Sequence, residues 1–249
     1  MNLQNAVALV TGGTGGLGRR ICLALAKHGV SVAVCYHQRK GEAEKVAAGL
    51  REFKVTAKIA QVDVTSAESV NTLVAQVSSE FGRIDVLVND AAYNKWIPFT
   101  ELDQLTYGDW NKILTTNLDG PFHCIKAVAP IMKAQQQGRI INIASIAGLG
   151  PTGSSIAYAV SKAALIHLTK CMAVSLAPHV LVNCIAPGFL EGTRMTENLA
   201  PDYREKAKQF SLLKRAADKD DIAEAIVELC RTDSITGQTL AIDSGRVFH

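Results

Sequence analysis

The sequence predicts an α/β fold: a doubly wound parallel sheet of about seven strands, with helices on both faces. Seven strand-like runs alternate with longer stretches of helical periodicity. Most of these runs are apolar throughout, which is typical of parallel strands whose two faces are both covered. Because crossover connections between parallel strands are right-handed, this alternation indicates a doubly wound sheet.

The predicted elements follow one another along the chain. AVALVTG, VSVAVCY, VTAKIAQVDV and IDVLVNDAA are the first four strands, and each precedes a helical stretch. The fourth helical region is the longest and runs from about Tyr107 to Gln137. GRIINIAS, VLVNCIAPG and QTLAIDSG complete the sheet, and a helix containing AYAVSKAALIHL lies between the first two of them. The irregular stretch from Pro187 to about Leu213 suits a lid, so we expect a substrate loop at about residues 189–213.

Length and composition favour one domain over residues 1–249. The hydrophobic fraction of 48 % is enough for a large core, and the sequence has no repeat, low-complexity tract or Pro/Ser-rich linker. The net charge of +3, without a Lys/Arg run, does not indicate binding to nucleic acid or a membrane surface. No segment runs long enough without charge to span a bilayer, and the N-terminal residues do not resemble a signal peptide.

The six cysteines are scattered, with no Cys-x-x-Cys pair. We interpret them as small core residues of a reduced, cytoplasmic protein rather than as a disulfide or zinc framework, and we expect no metal site.

A glycine-rich turn, VTGGTGGLGRR (Val10 to Arg20), joins the first strand to the first helix. A dinucleotide needs a tight turn, a backbone without Cβ close to its pyrophosphate, and helix N–H groups aimed at it. The alternative is a glycine-rich turn with no ligand, but its place at the first strand-to-helix junction favours a cofactor site. The residues expected to bind the cofactor here are Gly12, Thr14, Gly15, Gly16, Leu17 and Gly18.

The end of the second strand, VAVCYHQRK, should meet the adenosine ribose. An NAD site normally carries an acidic residue here, but this chain has no carboxylate before Glu42. Arg39 could pair with a 2′-phosphate, which favours NADP(H), with NAD(H) as the alternative cofactor. The other interpretation is a solvated basic turn. We expect His37, Gln38 and Arg39 to contact the cofactor.

The third strand ends in VDVT, at the same carboxyl edge of the sheet. Asp63 could accept a hydrogen bond from an adenine amino group, and Val64 would lie beside it. The structural alternative for Asp63 is a helix N-cap, a role that suits Thr65 or Ser66 better.

Four residues form a candidate proton-transfer set. Ser145 closes the fifth strand, and Tyr158 and Lys162 stand four residues apart in the next helix, hence on one side of it. A ketone reduced by hydride needs a proton on its oxygen, and we expect the Lys162 ammonium to lower the tyrosine pKa from its usual value near 10. The Ser145 hydroxyl can polarise the carbonyl. Asn117 lies where Gly120-Pro121 should disturb the long helix, and its carbonyl can hold a water that links Lys162 to solvent.

Each of these residues alone has an ordinary structural explanation: a packed phenol, a solvated ammonium, a turn residue, a surface amide. Their combination on a fold with a nucleotide turn favours a catalytic site.

The chain resembles the short-chain dehydrogenase/reductase family in TGGTGGLG, NDAA, Asn117, Ser145, YAVSK and APG, which occur in family order and spacing along nearly the whole sequence. The resemblance implies a single Rossmann-type domain, NAD(P)(H), a homotetramer and an Asn-Ser-Tyr-Lys catalytic set. By that resemblance Tyr158 is the acid/base, and Lys162 tunes it and binds the nicotinamide ribose. Ser145 would orient the substrate oxygen, and Asn117 would anchor the relay water. The further cofactor residues that it implies are Asn89, Ala91, Pro187, Gly188, Leu190 and Thr193.

Three features depart from the family pattern. Asp90 and Ala92 stand in NDAA where the family usually has Asn-Asn-Ala-Gly. Thr193 lies five residues after the glycine of APG instead of four, as if Gly192 were inserted. Ser244 stands in IDSG where a second glycine is frequent. Separately, NADP(H)-preferring members often carry a basic residue just before the second motif glycine, and that position is Gly15 here, so the NADP(H) prediction rests on Arg39 and the missing acid.

We therefore expect an NADP(H)-dependent oxidoreductase that transfers hydride between nicotinamide and a carbonyl or secondary alcohol, similar to 3-oxoacyl-thioester reductases and ketoreductases. The alternatives are an NAD-dependent alcohol or sugar dehydrogenase of the same family, or a non-catalytic cofactor-sensing protein. Such sensors typically lose the tyrosine or the lysine, and this chain keeps both. The expected partner is a small carbonyl, alcohol or acyl-thioester substrate, with Tyr93, Trp96 and Phe99 as candidate pocket walls.

Overall fold

A computed structural model of the chain describes residues 1–197 and 201–248 and contains one seven-stranded sheet. The strands are Val7–Thr11 (β1), Ser31–Tyr36 (β2), Ala57–Gln61 (β3), Val86–Asn89 (β4), Gly138–Ile143 (β5), Val180–Pro187 (β6) and Thr239–Ile242 (β7). Their order in the sheet is β3-β2-β1-β4-β5-β6-β7, and every neighbouring pair is parallel. The sequence order reverses between β1 and β4, which makes the sheet doubly wound as predicted.

Eight α-helices surround the sheet in the described residues. They are Gly18–Lys27 (α1), Lys40–Arg51 (α2), Ala67–Phe81 (α3), Tyr107–Leu114 (α4), Gly120–Ala134 (α5), Ile156–Leu176 (α6), Pro201–Gln209 (α7) and Lys219–Arg231 (α8). Side chains of α1, α2 and α8 form one apolar core with the sheet, and side chains of α3, α5 and α6 form a second. The helices therefore cover both faces, and the prediction of an α/β fold is confirmed.

The long helical region splits at a π-helical segment, Thr115–Asp119, between α4 and α5. The Gly120 N–H donates to the Thr115 carbonyl five residues earlier, where an α-helix would use a residue four earlier. Pro121 follows directly and has no N–H to continue the pattern. The disturbance expected at Gly120-Pro121 is therefore present, as a π-bulge immediately before that pair.

The stretch from Pro187 to Leu213 was expected to be irregular, and in part this prediction is wrong because it contains α7. The helix has acidic Asp202 in its first turn and Lys206 and Lys208 in its last turn, charges that favour a helix at those ends. Residues 198–200, within the predicted substrate loop, lie outside the described residues.

By length and composition alone α6 could cross a membrane, despite Lys162 and Lys170. In the structure it packs on β6 and buries ten of its 21 residues, among them Lys162. We interpret it as a core helix. Five cysteines are buried as expected, whereas Cys171 on the outer side of α6 is exposed, a correction to the prediction that all six are core residues.

Candidate active site

A cavity of about 790 Å³ opens at the carboxyl edge of the sheet, where the strand order reverses. In doubly wound sheets this is the edge at which ligands bind. The sequence-predicted residues that line it are Gly12, Thr14, Gly15, Gly16, Leu17, His37, Gln38, Arg39, Asp63, Val64, Ala91, Ser145, Tyr158, Lys162, Pro187, Gly188, Leu190 and Thr193. The other three, Gly18, Asn89 and Asn117, are buried behind the cavity wall.

The glycine-rich turn is shaped by close backbone approaches. Gly12 has a φ of +68°, and a Cβ built there would lie 2.9 Å from the Ala91 nitrogen. A Cβ on Gly18 would lie 2.3 Å from the Gly12 carbonyl oxygen. Leu17 occupies the N-cap position of α1, and its hydrocarbon side chain cannot accept a hydrogen bond from the helix. A turn of this shape at a helix N-terminus fits the pyrophosphate of a dinucleotide.

Basic side chains lie after the end of β2 and at the start of α1. Arg39 is exposed and lines the cavity. Arg19 donates from Nε to the Gly15 carbonyl at 3.2 Å. Arg20 forms an ion pair with Asp220 on α8. A 2′-phosphate at the end of β2 would therefore meet the Arg39 guanidinium.

Asp63 accepts hydrogen bonds from a residue of its own loop. Its Oδ1 accepts from the Thr65 backbone N–H at 2.9 Å and from the Thr65 hydroxyl at 2.6 Å. These bonds hold the pKa of the Asp63 carboxyl below its usual range. Its Oδ2 lies 4.0 Å from the His37 Nε2. As expected, the N-cap of α3 is Ser66 and not Asp63, since the Ser66 side chain accepts from the Ser69 N–H.

The loop after β4 is tied to β1 through one hydroxyl. Thr11 Oγ1 accepts from the backbone N–H groups of Asp90 and Ala91, at 3.1 and 3.2 Å. The Asn89 side chain points the other way, and its Nδ2 donates to the Asn142 Oδ1 at 2.9 Å. The prediction that Asn89 lines the cofactor site is therefore corrected for its side chain, which is 3 % exposed and joins β4 to β5.

Ser145, Tyr158 and Lys162 converge at one end of the cavity. Ser145 follows β5, and its hydroxyl accepts from the Ala147 N–H at 3.1 Å. Tyr158 and Lys162 lie one turn apart on α6, and the Lys162 Nζ is 5.7 Å from the centre of the Tyr158 ring. The Lys162 Nζ donates to the Ile143 carbonyl at 2.7 Å. The structure thus brings three of the four predicted catalytic side chains into one wall.

Burial dominates the pKa values of this set. It raises the pKa of Tyr158 to about 12, which hydrogen bonding to Ser145 only partly offsets. It lowers the pKa of Lys162 to about 8. The predicted lowering of the tyrosine pKa is therefore wrong for this structure. The physical reason is that desolvation of the phenolate outweighs any stabilisation by Lys162, whose ammonium is turned to the Ile143 carbonyl.

Asn117 is buried behind the cavity wall. It lies in the π-helical segment and is 1 % exposed. Its Oδ1 accepts from the Tyr93 N–H at 2.8 Å, and its Nδ2 donates to the Tyr93 carbonyl and to the Ser161 hydroxyl. Both Nδ2 protons are used and Oδ1 already accepts one hydrogen bond, so we expect the Asn117 backbone carbonyl to hold the relay water.

The cavity also has walls that the sequence did not single out as binding residues. The Met195 sulfur lies 4.0 Å from the Tyr158 hydroxyl, and the Lys112 Nζ lies 4.2 Å from the centre of the Tyr93 ring. Four lining residues of α4 and the π segment recur at helical spacing: Asn111, Lys112, Thr115 and Thr116. That i, i+4 pattern is a signal that could have found them. Of the aromatic residues predicted as walls, Tyr93 lines the cavity, Phe99 packs behind Tyr158 and Trp96 is 45 % exposed.

The loop after β6 rests on the glycine-rich turn. A Cβ on Gly16 would lie 2.5 Å from the Gly192 carbonyl oxygen, and Gly192 itself has a φ of +62°. The additional glycine thus allows a turn that keeps Thr193 on the cavity wall, although it is one residue later than the family pattern.

Comparisons with known proteins agree with this geometry. The family model described as short chain dehydrogenase matches residues 6–204. A 3-oxoacyl-[acyl-carrier-protein] reductase of Staphylococcus epidermidis is 37 % identical over 245 residues, which are 97 % of this chain and 99 % of the relative. The NADPH-dependent 3-quinuclidinone reductase of Rhodotorula rubra superposes with a TM-score of 0.91 at 30 % identity, covering 98 % of this chain and 92 % of that one. An NAD⁺-bound xylitol dehydrogenase superposes with a TM-score of 0.90 at 32 % identity, covering 98 % and 100 % of the two chains.

Proposed function

Because this chain belongs to the short-chain dehydrogenase family and is an NAD(P)-dependent oxidoreductase, we propose that it reduces a carbonyl to a secondary alcohol with NADPH. One observation carries the proposal: a single cavity joins the glycine-rich turn and Arg39 to Ser145, Tyr158 and Lys162. A nucleotide cradle and a proton donor must share a cavity for hydride and proton to reach one carbonyl group.

The preference for NADP(H) is supported by the end of β2. Arg39 lines the cavity, and a carboxylate that would bind the ribose 2′-hydroxyl of NAD is absent from the sequence between Tyr36 and Gly41. The superposed quinuclidinone reductase is described as NADPH-dependent, whereas the xylitol dehydrogenase is described as NAD⁺-bound. NAD(H) is therefore the alternative cofactor, and the experiment below distinguishes the two.

When bound, the cofactor supplies or accepts the hydride, and the chain supplies the proton. We assign Tyr158 as the acid that donates its phenolic proton to the carbonyl oxygen during reduction, and as the base in the reverse direction. Its raised pKa keeps the phenol protonated at neutral pH, which suits the reductive direction. Ser145 orients and polarises the carbonyl oxygen.

Lys162 and Asn117 complete the set. The Lys162 ammonium would bind the nicotinamide ribose and favour the tyrosinate that is left after proton donation. The Asn117 backbone carbonyl would hold the water that returns a proton to Lys162, while its side chain keeps the π segment and Tyr93 in place.

The substrate class we propose is a 3-oxoacyl thioester or a general ketone. The relative from Staphylococcus epidermidis is named for an acyl-carrier-protein thioester. Met195 lies next to Tyr158, and Lys112 lies over the ring of Tyr93 in the same cavity, a mixture of apolar and charged groups that suits a polar acyl chain near the carbonyl. Met195 belongs to the proposed substrate loop, about residues 189–213.

We also propose that residues 1–249 act as one domain in a cytoplasmic homotetramer. Two faces support self-association, because each carries exposed apolar side chains. Val160, Val174 and Phe122 lie on α5 and α6, and Leu240 and Phe248 lie on and beyond the edge strand β7. Two separate apolar faces fit the two different contacts of a tetramer with dihedral symmetry.

The test is a panel of carbonyl compounds and alcohols with NADPH, NADH, NADP⁺ and NAD⁺, followed by absorbance at 340 nm. The panel includes a 3-oxoacyl thioester, a cyclic ketone and a sugar alcohol. We expect reduction of the thioester or ketone with NADPH to give the highest kcat/KM. Oxidation of the sugar alcohol with NAD⁺ as the fastest reaction would favour the alternative dehydrogenase, and cofactor binding without turnover of any compound would contradict an enzymatic role.

A further inference from the structure

Asp90 places a carboxylate beneath the glycine-rich turn. It follows β4 directly, and its Oδ2 lies where a Cβ on Gly18 would be only 2.9 Å away and a Cβ on Gly15 would be 3.9 Å away. The carboxylate accepts a hydrogen bond from the Gly18 N–H, at the start of α1. A negative charge is favourable at a helix N-terminus, so this position stabilises the Asp90 carboxylate.

The carboxylate faces titratable groups on two helices. Asp90 shares the cavity wall with Tyr158 and Lys162 of α6, and Cys22 of α1 lies within electrostatic reach of it. The Asp90 charge raises the pKa of each of these three groups. Lys162 also faces Cys184 on β6, whose thiol is buried and has a pKa raised to about 11. Among the described residues, Asp90 is thus the carboxylate whose charge acts on the Lys162 ammonium.

Asp90 is half-buried at the cavity wall, and desolvation opposes the charge on its carboxyl. Desolvation raises the pKa of this carboxyl to about 7, although the Lys162 ammonium and the Gly18 N–H favour the carboxylate. The group therefore changes charge near neutral pH, in contact with a turn that would hold an anionic cofactor. Neither the proton-transfer set nor the cofactor cradle described above uses it.

We propose that Asp90 is a positioning residue that acts through Lys162: its carboxylate keeps the buried ammonium charged and sets the pH range in which Tyr158 and Lys162 work. Asp90 also lines the cofactor cavity, so the same carboxylate, once ionised, repels a pyrophosphate held by the glycine-rich turn and weakens cofactor binding as the pH rises. The effect on the pH range of Tyr158 and Lys162 rests on the proposed function. The effects of the Asp90 charge on stability and cofactor binding, the electrostatic part of the proposal, do not depend on catalysis.

The matched substitution is Asp90→Asn, which keeps the size of the side chain and an oxygen for the Gly18 N–H and removes only the charge. Asparagine is also the residue that the family pattern places here, so the variant is expected to fold. The control is Asp103→Asn, which removes an exposed carboxylate from the 3-10 turn Leu102–Gln104.

The first readout is thermal unfolding of the free protein between pH 5 and pH 8. The folded-state pKa of Asp90 lies above its ordinary value, so the wild type loses stability as the pH rises through the range from about 4 to 7. Asp90→Asn does not have this loss. We expect the Tm of Asp90→Asn, measured relative to the wild type, to rise by at least about 4 °C between pH 5 and pH 8. A Tm difference that is the same at both pH values overturns the inference.

The second readout is binding of NADPH, measured by the change in its fluorescence. Asp90→Asn should bind NADPH at least about threefold more tightly than the wild type at pH 8, and equally at pH 5.5.

The third readout is the pH profile of kcat/KM for carbonyl reduction. Its alkaline limb should move to lower pH by about half a unit in Asp90→Asn, since the pKa values of both Lys162 and Tyr158 fall. The Asp103→Asn control should move none of the three readouts, and an equal shift in the control would overturn the inference.

These readouts separate the inference from the proposed function. Shifts in Tm and binding without any carbonyl reduction would support the electrostatic part and contradict the proposed activity. If Asp90→Asn does not fold, ¹³C NMR of aspartate carboxyls in the wild type decides: a carboxyl that titrates near pH 7 supports the inference, and titration of every aspartate near pH 4 overturns it.

Discussion

The Asn117 side chain binds both polar groups of the Tyr93 backbone, accepting from its N–H at 2.8 Å and donating to its carbonyl at 2.9 Å. This pair joins the π-helical segment between α4 and α5 to the loop after β4. It fixes the wall of the cavity next to Tyr158, and it makes the bulge in the helix a functional feature instead of a defect.

Asn117→Ala should therefore destabilise the fold as well as reduce activity. It leaves the Tyr93 N–H and carbonyl without their partner, which costs about 2–4 kcal/mol of unfolding free energy. Denaturant unfolding measures this cost. Asn111→Ala, which removes an exposed amide from α4, is the control and should change stability by less than about 0.5 kcal/mol. Equal stability of the two variants would contradict the role assigned to Asn117.

Arg39→Ala should change the choice of cofactor. Loss of the guanidinium removes a charge-assisted contact to a 2′-phosphate, so the KM for NADPH should rise about tenfold while the KM for NADH changes by less than about twofold. Steady-state kinetics with both cofactors measures the difference. Lys126→Ala, an exposed cation of α5 away from the cavity lining, should leave both KM values unchanged. If Arg39→Ala raises the two KM values equally, the 2′-phosphate assignment is wrong.

The pH dependence of the free enzyme should report Lys162. Burial lowers the pKa of this ammonium to about 8, so the charged form is lost as the pH rises through that value. We expect kcat/KM for NADPH to fall by no more than about threefold between pH 6 and 7.5, as Asp90 ionises, and to fall more steeply at higher pH, because the uncharged amine no longer binds the ribose as a cation. Lys162→Arg stays charged and should have no alkaline limb between pH 8 and 10. A limb retained in that variant would assign it to another group.

The proposed homotetramer has a direct test in light scattering. The wild type should elute with a mass near four times 26.6 kDa. Val174→Glu places a charge on an apolar residue of α6 that is 84 % exposed in the single chain, and it should give a smaller species. Leu102→Glu, at a 62 % exposed position of a 3-10 turn, should leave the mass unchanged. A wild-type monomer would contradict the assembly.

The seven parallel strands, their doubly wound arrangement and the position of most site residues could be predicted from sequence, because they depend on local signals. Apolar runs mark the strands, and residues such as Gly12, Asp63 and Ser145 come within two residues of the ends of strands that terminate at one edge of the sheet. Tyr158 and Lys162 share a helix face by spacing alone.

The features that were missed depend on contacts between distant segments. The Asn89 side chain turns to Asn142 on the neighbouring strand, and Met195 reaches Tyr158 from a loop 37 residues away. The pKa of Tyr158 is set by how deeply the phenol is buried, which spacing to Lys162 does not reveal. The helix α7 did carry a local signal, in the charges of its first and last turns, that the irregular-loop prediction did not use.

The central claim is that Tyr158 gives the proton to the carbonyl oxygen, and Tyr158→Phe tests it most directly. The variant removes one hydroxyl and keeps the ring, so NADPH binding, measured by fluorescence, should stay within about threefold of wild type. Carbonyl reduction, followed at 340 nm, should fall by about 100-fold or more. Tyr107→Phe, which removes the hydroxyl of a 91 % exposed tyrosine, should keep full activity. Reduction by Tyr158→Phe at the wild-type rate would contradict the account.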